Sequence, residues 1–280
     1  MNSITHSTPT SLNSTSPETF ASIRGVCLDI DDTLSTDGKL TAPAYSALWR
    51  LKEAGFAVVP ITGRPAGWCD HFARFWPVDA VVGENGAFTF FMKKNPDGTH
   101  VRARLDTPGA IGNPTERKQK LEELHRRILE RFPHAELASD QAYREHDLAI
   151  DFCEDVPHWS RTDVDELVRV CEQAGAHAKV SSIHVNAWFG EFDKTRGFQN
   201  WLQNVAPAEL KDENHWIFIG DSPNDAPMFK HFKNSVGVAN IQQFLDRIAS
   251  PPRWITRQRS GEGFVEFAEK LLSGPRPHIH

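Results

Sequence analysis

The 280-residue chain lacks several features that would place it in a specialised class of proteins. It has no basic excess, because 31 Lys and Arg stand against 37 Asp and Glu and give a net charge of −6. This balance argues against a general nucleic-acid binder. No apolar run approaches the roughly 18 residues that suggest a membrane span, and the first residues lack the basic and apolar regions of a secretory signal. We therefore expect a cytoplasmic protein that binds neither nucleic acid nor membrane.

Cysteine is scarce and scattered. The four cysteines lie at Cys27, Cys69, Cys153 and Cys171, and no two of them form a Cys-x-x-Cys pair. This spacing argues against a disulfide framework and against a structural zinc site, since both need cysteines grouped in sequence or in a dense small domain. Reduced, mostly buried thiols are expected.

The first 20 residues are rich in Ser, Thr, Asn and Pro. Such a segment buries little apolar area against the entropy cost of ordering its backbone. The sequence therefore predicts a disordered tail at 1–20.

Beyond this segment, short apolar runs alternate with stretches of helical spacing. The pattern predicts a parallel sheet covered by helices on its faces. The fold class is therefore α/β, with a Rossmann-like, doubly wound parallel sheet. The predicted strands are 26–30, 56–61, 79–82, 216–219, 235–238 and 254–256.

The middle of the chain follows a different pattern. Helical stripes begin at Asn113-Pro114 and at Thr162, and the segments 147–152 and 182–188 alternate with a period of two. Two helices against an alternating, antiparallel sheet make a small α+β insert. We place this insert at 106–189, between core segments at 21–105 and 190–280.

Acidic residues follow two of the predicted core strands. Asp29, Asp31 and Asp32 come at the end of the first strand, and Asp221 and Asp225 follow the strand at 216–219. Either run alone could be an acidic turn. Ligands bind at the carboxyl ends of strands in open α/β sheets. Close carboxylates there repel one another unless a cation compensates, and a hard divalent cation with oxygen ligands is the natural choice.

Four short motifs follow one another along the chain. They are Asp29-x-Asp31-x-Thr33, Thr62 in Ile61-Thr62-Gly63-Arg64, Lys194 in Asp193-Lys194-Thr195, and Gly220-Asp221-x-x-Asn224-Asp225. In this order, and over most of 24–272, they resemble the motifs of the haloacid dehalogenase-like hydrolase superfamily. The insert lies between the second and third motifs, which is similar to the Cof-type group (subfamily IIB) that includes sugar-phosphate phosphatases. One departure is Asp32, where Gly is commoner in the family, although Asp is also found there.

The resemblance implies a Mg²⁺-dependent phosphomonoesterase. Asp29 would attack phosphorus and form an aspartyl-phosphate, and Asp31 would act as general acid and base. Thr62 would hydrogen-bond the phosphoryl oxygens, and Lys194 would neutralise negative charge. The implied metal ligands are Asp29, Asp31, Asp221 and Asp225.

The insert would act as a cap that closes over the leaving group. On the strand at 182–188, His184, Asn186 and Trp188 share one face, while Ile183, Val185 and Ala187 share the other. The apolar face should pack on the cap helices. The polar face suits a sugar or polyol if it faces the cleft, but an exposed sheet face or a partner contact is an equal alternative.

Further substrate-binding candidates come from the motifs and from the cap. Thr33 and Asn224 would orient groups in the site, and Gly63 accompanies Thr62 in the second motif. Arg64 could contact substrate or be a surface charge, and Arg144 could bind a second anionic group.

The predicted function is hydrolysis of a small phosphorylated metabolite such as a sugar phosphate. Two alternatives remain open, a phosphomannomutase-like phosphotransferase and a non-enzymatic regulator that binds a phosphorylated ligand. The intact nucleophile and metal motifs count against the regulator, because a pure binder needs no nucleophile. The sequence is compatible with either a monomer or a homodimer.

Overall fold

The structure, a computed structural model, describes residues 8–110 and 112–275. No helix within these ranges is long and apolar enough to cross a bilayer. The strands are β1 (Thr10–Ser11), β2 (Gly25–Leu28), β3 (Ala57–Pro60), β4 (Val81–Gly83), β5 (Phe88–Lys94), β6 (His100–Asp106), β7 (Glu136–Leu137), β8 (Asp147–Asp151), β9 (His177–Val180), β10 (His184–Trp188), β11 (Trp216–Gly220), β12 (Ser235–Gly237) and β13 (Trp254–Ile255). The α-helices are α1 (Ala42–Glu53), α2 (Ala66–Phe75), α3 (Pro114–Arg131), α4 (Arg161–Gln173), α5 (Lys194–Asn204), α6 (Ala226–His231) and α7 (Ser260–Leu272).

A six-stranded parallel sheet forms the centre of the molecule, in the order β1-β13-β12-β11-β2-β3. Successive side chains of β2 point to opposite faces. Val26 and Leu28 join the apolar cluster that contains residues of α1 and α7, whereas Cys27 joins the cluster that contains residues of α5 and α6. Helices therefore cover both faces of the sheet, which confirms the predicted doubly wound α/β class.

A second, antiparallel sheet contains β4, β5 and β6. The hairpin of β5 and β6 closes through a turn in which the backbone N–H of Asn95 donates to the carbonyl of Thr99 at 2.8 Å. The prediction that 79–82 belongs to the parallel sheet is therefore wrong. Strand β4 pairs with β5, and a parallel bridge between Ile61 and Val82 links it to the end of β3.

The predicted insert contains its own four-stranded antiparallel sheet, in the order β7-β8-β10-β9. This sheet and helices α3 and α4 all lie within 106–189, which we call the cap. Val185 and Ala187 pack with the cap helices as predicted. Ile183 does not, because it precedes β10 and lines the cavity between cap and core. The exact domain limits stay a prediction.

The four cysteines are free thiols, as predicted. Cys27, Cys69 and Cys171 are buried, and Cys153 is half-buried. Burial raises the pKa of each of these thiols above its ordinary value, so they remain protonated and act as small apolar groups.

The prediction of a disordered tail at 1–20 is wrong for the part that the structure describes, and residues 1–7 lie outside the described residues. Strand β1 extends the central sheet by pairing with β13. Leu12 and Phe20 are buried in the main core, and the Phe20 ring packs edge-on against Trp254 at 5.3 Å. Two apolar residues in a polar segment thus suffice to anchor it, because each buries most of its side chain.

Candidate active site

The acidic residues meet because their strands are neighbours. Strands β2 and β11 pair in parallel, with Leu28 opposite Ile219, so the residues that follow them lie side by side. The backbone N–H of Asp29 donates to the Ile219 carbonyl at 2.9 Å. Asp225 lies four residues beyond Asp221 and its Oδ2 accepts the Asp221 backbone N–H at 3.0 Å. Oxygen atoms of Asp29, Asp221 and Asp225 all lie within 4.8 Å of one another.

Lys194 supplies a positive charge to this cluster. Its Nζ lies 2.7 Å from Asp29 Oδ1 and 2.7 Å from Asp225 Oδ1, and its side chain is 2% exposed. Burial alone would lower the pKa of Lys194, but the charges of Asp225 and Asp29 raise it above its ordinary value. Lys194 is therefore a buried cation that bridges the first and fourth motifs.

Two glycines allow Lys194 to reach the site. Lys194 is the first residue of α5, whose start packs directly on the turn at Gly86. A Cβ on Gly86, which has a φ of +106°, would lie 1.9 Å from the Asp193 carbonyl oxygen. A Cβ on Gly197 would lie 2.7 Å from the Gly86 Cα. Any side chain at either position would push α5 away from the sheet edge and move Lys194 with it.

The electrostatics of the cluster fit a metal site. Burial raises the pKa of Asp29, Lys194 opposes this shift, and Asp225 and Asp31 reinforce it. Burial and the charges of Asp29 and Asp225 also raise the pKa of Asp221. One lysine thus faces three buried carboxylates, and an oxygen-ligated divalent cation would supply the missing positive charge. The residues present fit Mg²⁺.

The predicted residues Thr33, Thr62 and Asn224 lie buried around the cluster. Thr33 Oγ1 donates to Asp221 Oδ1 at 3.4 Å. Thr62 Oγ1 accepts the backbone N–H of Arg64 at 3.0 Å, so its own hydroxyl proton remains available to a ligand. Asn224 Oδ1 accepts from the Ser222 hydroxyl at 2.8 Å.

The side chain of Asp31 does not join the metal cluster. Its carboxylate instead contacts Arg64, whose Nε lies 3.1 and 3.0 Å from the two Asp31 oxygens. Arg64 is buried beneath the cap and also contacts cap carboxylates, so it is not the surface charge that one interpretation of the sequence allowed. Gly63 lies beneath β10, where an added Cβ would be 3.5 Å from Asn186 Oδ1.

Arg144 is occupied by carboxylates of the cap. Its guanidinium is 1% exposed and is bound by Asp140 at 2.9 Å and Asp147 at 3.0 Å. It also donates to the Gly63 carbonyl at 2.8 Å. With its donors directed at these partners, Arg144 holds the cap against the second motif rather than receiving a second anionic group.

The polar face of β10 points toward the core but is closed to the cleft. Asn186 Nδ2 donates to Asp147 Oδ2 at 2.8 Å, and the Trp188 indole donates to the Phe192 carbonyl at 3.2 Å. His184 Nε2 lies 2.9 Å from Glu154 Oε2. All three residues are at most 3% exposed. Asn186 lies beside Gly63 and Trp188 packs in an apolar cluster with α2, whereas His184 is paired within the cap. The exposed face that one interpretation of the sequence allowed is therefore wrong, and contact of these residues with a substrate or a partner stays a prediction.

A cavity of about 370 Å³ lies between cap and core, beside the acidic cluster. The core contributes Asp31, Asp32 and Arg64, and the cap contributes residues that sequence reasoning missed. These cap residues are Cys153, Glu154, His158, Ser182 and Ile183. They lie in irregular segments before β10 and after β8, where no periodic pattern identifies a facing residue.

Sequence reasoning also missed Asn240. Its Nδ2 donates to Asp221 Oδ2 at 3.2 Å and to the Asp32 carbonyl at 3.1 Å, while its Oδ1 accepts the Ser260 N–H at 2.9 Å. Asn240 follows β12, the next strand of the sheet after β11. Its position after a third strand could have indicated that Asn240 lies near the site, because the carboxyl ends of neighbouring parallel strands converge.

Asp32, the one departure from the commoner Gly of the first motif, keeps a backbone conformation that suits glycine. Its φ is +52°, in the left-handed region that glycine adopts freely and that Asp tolerates better than most residues. The chain therefore turns at Asp32 much as it would at glycine, and the geometry of the first motif is kept.

The parallel sheet, the buried carboxylate and lysine cluster at its edge and the cap above it define a capped α/β enzyme. Residues 26–105 and 116–267 match the haloacid dehalogenase-like hydrolase family, and the chain belongs to this family. It is 24% identical over 259 residues to phosphoglycolate phosphatase 1 of Saccharolobus solfataricus, which covers 90% of this chain and 97% of that protein.

Two solved structures share the fold. A HAD/COF-like hydrolase from Plasmodium vivax superimposes with a TM-score of 0.65 at 19% identity, over 92% of this chain and 99% of that one. The sucrose-phosphatase of Synechocystis, solved with sucrose and phosphate, gives a TM-score of 0.59 at 17% identity, over 88% and 97%. These two likenesses concern the fold, and the family match identifies the chain as a haloacid dehalogenase-like hydrolase.

Proposed function

We propose that the protein is a Mg²⁺-dependent phosphomonoesterase that hydrolyses a small phosphorylated metabolite, with Asp29 as the nucleophile. The observation that carries this proposal is the buried cluster of Asp29, Asp221 and Asp225 around Lys194, next to a cavity roofed by the cap. Unaided phosphomonoester hydrolysis is extremely slow, so a catalyst must combine a positioned nucleophile with strong charge neutralisation. The cluster offers both.

In this mechanism Asp29 attacks phosphorus in line and forms an aspartyl-phosphate, while the bond to the leaving oxygen breaks. Asp31 gives its proton to that oxygen and later accepts one from the water that hydrolyses the intermediate. Lys194 and the Thr62 hydroxyl bind the phosphoryl oxygens. Asp29, Asp221, Asp225 and the backbone carbonyl of Asp31 would hold Mg²⁺, which supplies charge neutralisation when bound.

Removal of the metal is the direct test of the proposal. We expect phosphate release from 4-nitrophenyl phosphate in the presence of Mg²⁺, and a fall to background after chelation with EDTA that added Mg²⁺ reverses. Uncompensated carboxylates at the site repel the phosphate dianion, which gives the physical reason. Release that continues at full rate in EDTA would contradict the metal dependence. Absence of release with Mg²⁺, but transfer of phosphate between sugar phosphates, would favour the phosphotransferase.

The charge of the cavity favours a neutral, hydroxyl-rich leaving group. Its acidic lining residues are Asp31, Asp32, Asp37 and Glu154. The arginines that line it, Arg64 and Arg259, are already paired with carboxylates, Arg259 with Asp37 at 3.0 Å. A carboxylate on the substrate would meet this acidic surface, whereas sugar hydroxyls can donate to it.

We therefore expect a hexose 6-phosphate to exceed phosphoglycolate in kcat/KM by at least about tenfold, which corresponds to about 1.4 kcal/mol. The comparison matters because the Saccharolobus relative is a phosphoglycolate phosphatase. Phosphate release measured for both substrates at equal Mg²⁺ decides the question. A preference for phosphoglycolate would show that the acidic lining does not set specificity.

A further inference from the structure

One side chain joins the first motif to the cap. Arg64 Nη2 lies 2.9 Å from Asp31 Oδ1 and 2.7 Å from Glu154 Oε1, and Nη1 lies 3.2 Å from Asp140 Oδ2. Asp31 belongs to the core, whereas Asp140 and Glu154 belong to the cap. The Arg64 side chain is only 7% exposed, so these contacts are largely shielded from solvent and salt.

The partners of Arg64 are themselves fixed within the cap. Asp140 is bound by Arg144 at 2.9 Å. The backbone N–H of Glu154 donates to Asp151 Oδ1 at 2.8 Å, and its carboxylate lies beside His184. Burial alone would raise the pKa of Glu154, but the hydrogen bond from His184 and the charge of Arg64 lower it to about 2. Both cap anchors are therefore positioned before they meet the guanidinium.

The other side of the guanidinium is fixed by packing. Arg64 lies over the Trp68 ring, with its central carbon 4.7 Å from the ring centroid. The planar guanidinium is held by Asp140, Glu154 and the Trp68 ring, which together fix its orientation. That orientation determines where the Asp31 carboxylate lies. Among the described residues, Asp31 Oδ2 accepts from Arg64 Nε alone, so one lone pair of that oxygen faces the cavity side without a partner.

We infer that Arg64 is a positioning residue that makes the acid step depend on cap closure. With the cap closed, Glu154 and Asp140 orient the guanidinium, which in turn directs Asp31 toward the leaving oxygen in the same cavity. When the cap opens, the guanidinium loses both cap anchors and Asp31 loses its fixed orientation. In the step itself, the bond from phosphorus to the leaving oxygen breaks as Asp31 transfers its proton to that oxygen. This inference rests on the proposed function.

The test compares two aryl phosphates of similar shape, phenyl phosphate and 4-nitrophenyl phosphate. Phenol is the poorer leaving group and needs the proton, whereas 4-nitrophenol leaves with little help. General acid catalysis contributes about 10²- to 10⁴-fold, so we expect Arg64→Lys to lower kcat on phenyl phosphate at least about tenfold. On 4-nitrophenyl phosphate the loss should stay under about threefold, with KM within about threefold for both substrates.

Glu154→Gln gives the same test with less risk to folding, because Glu154 is 25% exposed and an amide keeps its shape. We expect Glu154→Gln to lower kcat on phenyl phosphate selectively, by a smaller factor than Arg64→Lys does. The matched control is Asp246→Asn, which removes another cap-to-core ion pair, Arg161 to Asp246 at 2.6 Å, without touching Asp31. The control should leave the rates on both substrates unchanged.

Three results would overturn the inference. They are an equal loss on both aryl phosphates, a raised KM with unchanged kcat, and a selective loss on phenyl phosphate in Asp246→Asn. The first two would assign Arg64 to general structure or to substrate binding, and the third would assign the effect to cap attachment in general. If Asp29→Asn released phosphate as fast as the wild type, the proposed function would be overturned, and the inference with it.

Discussion

Asp29→Asn is expected to lower phosphate release by about 10⁴-fold or more, because a neutral amide does not attack phosphorus. The side chain keeps its size and Lys194 keeps its ion pair with Asp225, so the variant should still fold. The measurement is kcat on 4-nitrophenyl phosphate with saturating Mg²⁺. Asp246→Asn is the matched control, since it makes the same chemical change at an exposed position far from the acidic cluster. Release that persists in Asp29→Asn would mean that another group is the nucleophile.

The same substitution has a predicted effect on stability that does not depend on turnover. Burial raises the pKa of Asp29 to about 8, whereas the unfolded chain ionises near pH 4. Between these values the folded protein binds more protons than the unfolded chain, so the stability of the metal-free protein falls as the pH rises. In EDTA, the Tm of Asp29→Asn should therefore decline less than that of the wild type between pH 5 and pH 8. Parallel declines would show that Asp29 does not titrate in this range.

The core of the fold and the acidic cluster were predictable from the sequence for one physical reason. Buried parallel strands are short and apolar, and their carboxyl ends converge at one edge, so the sequence alone predicts that Asp29 and Asp221 lie together. The structure places Asp29 and Asp221 in one cluster, as this reasoning predicts. The start of α3 was also predictable, since Asn113 caps this helix by accepting the Thr115 N–H, whereas α4 begins at Arg161 with Ser160 as its cap rather than at Thr162.

The cap side of the site was not predictable in the same way. Glu154, His158 and Ser182 reach the cavity from irregular segments, in which no period relates neighbouring residues. Alternation correctly grouped His184, Asn186 and Trp188 on one face of β10. It could not show that the core closes over part of that face, because Asn186 meets Gly63 and Trp188 meets α2, and these partners are far apart in sequence.

Arg64 illustrates the limit most directly. Its place after Thr62 and Gly63 indicated a position near the site, but its role depends on three carboxylates at 31, 140 and 154. Asp140 and Glu154 belong to the cap, and in the sequence each has the pattern of an ordinary acidic residue on the protein surface. The role of Arg64 depends on partners in both the core and the cap. No local sequence pattern shows that these partners meet.

Lys194→Met is expected to cost both activity and stability, because the lysine neutralises buried charge in the free protein. Methionine keeps most of the volume but leaves Asp29 and Asp225 without their cation. Removing one partner of a buried ion pair typically costs about 3–5 kcal/mol, whereas Lys52→Met should cost about 1 kcal/mol or less because the pair of Lys52 with Asp79 is about one-third exposed. Lys52→Met is thus the matched control. The measurement is the Tm of both variants in EDTA and in Mg²⁺.

The response of Lys194→Met to Mg²⁺ separates the two roles of the lysine. A divalent cation held by the three carboxylates replaces the missing positive charge, so Mg²⁺ should raise the Tm of this variant more than that of the wild type. Turnover should not recover, because the metal does not place an ammonium group against the phosphoryl oxygens. A Tm in EDTA equal to that of Lys52→Met would contradict the structural role. Recovery of full turnover in Mg²⁺ would show that Lys194 neutralises the carboxylates only and takes no part in binding the phosphoryl group.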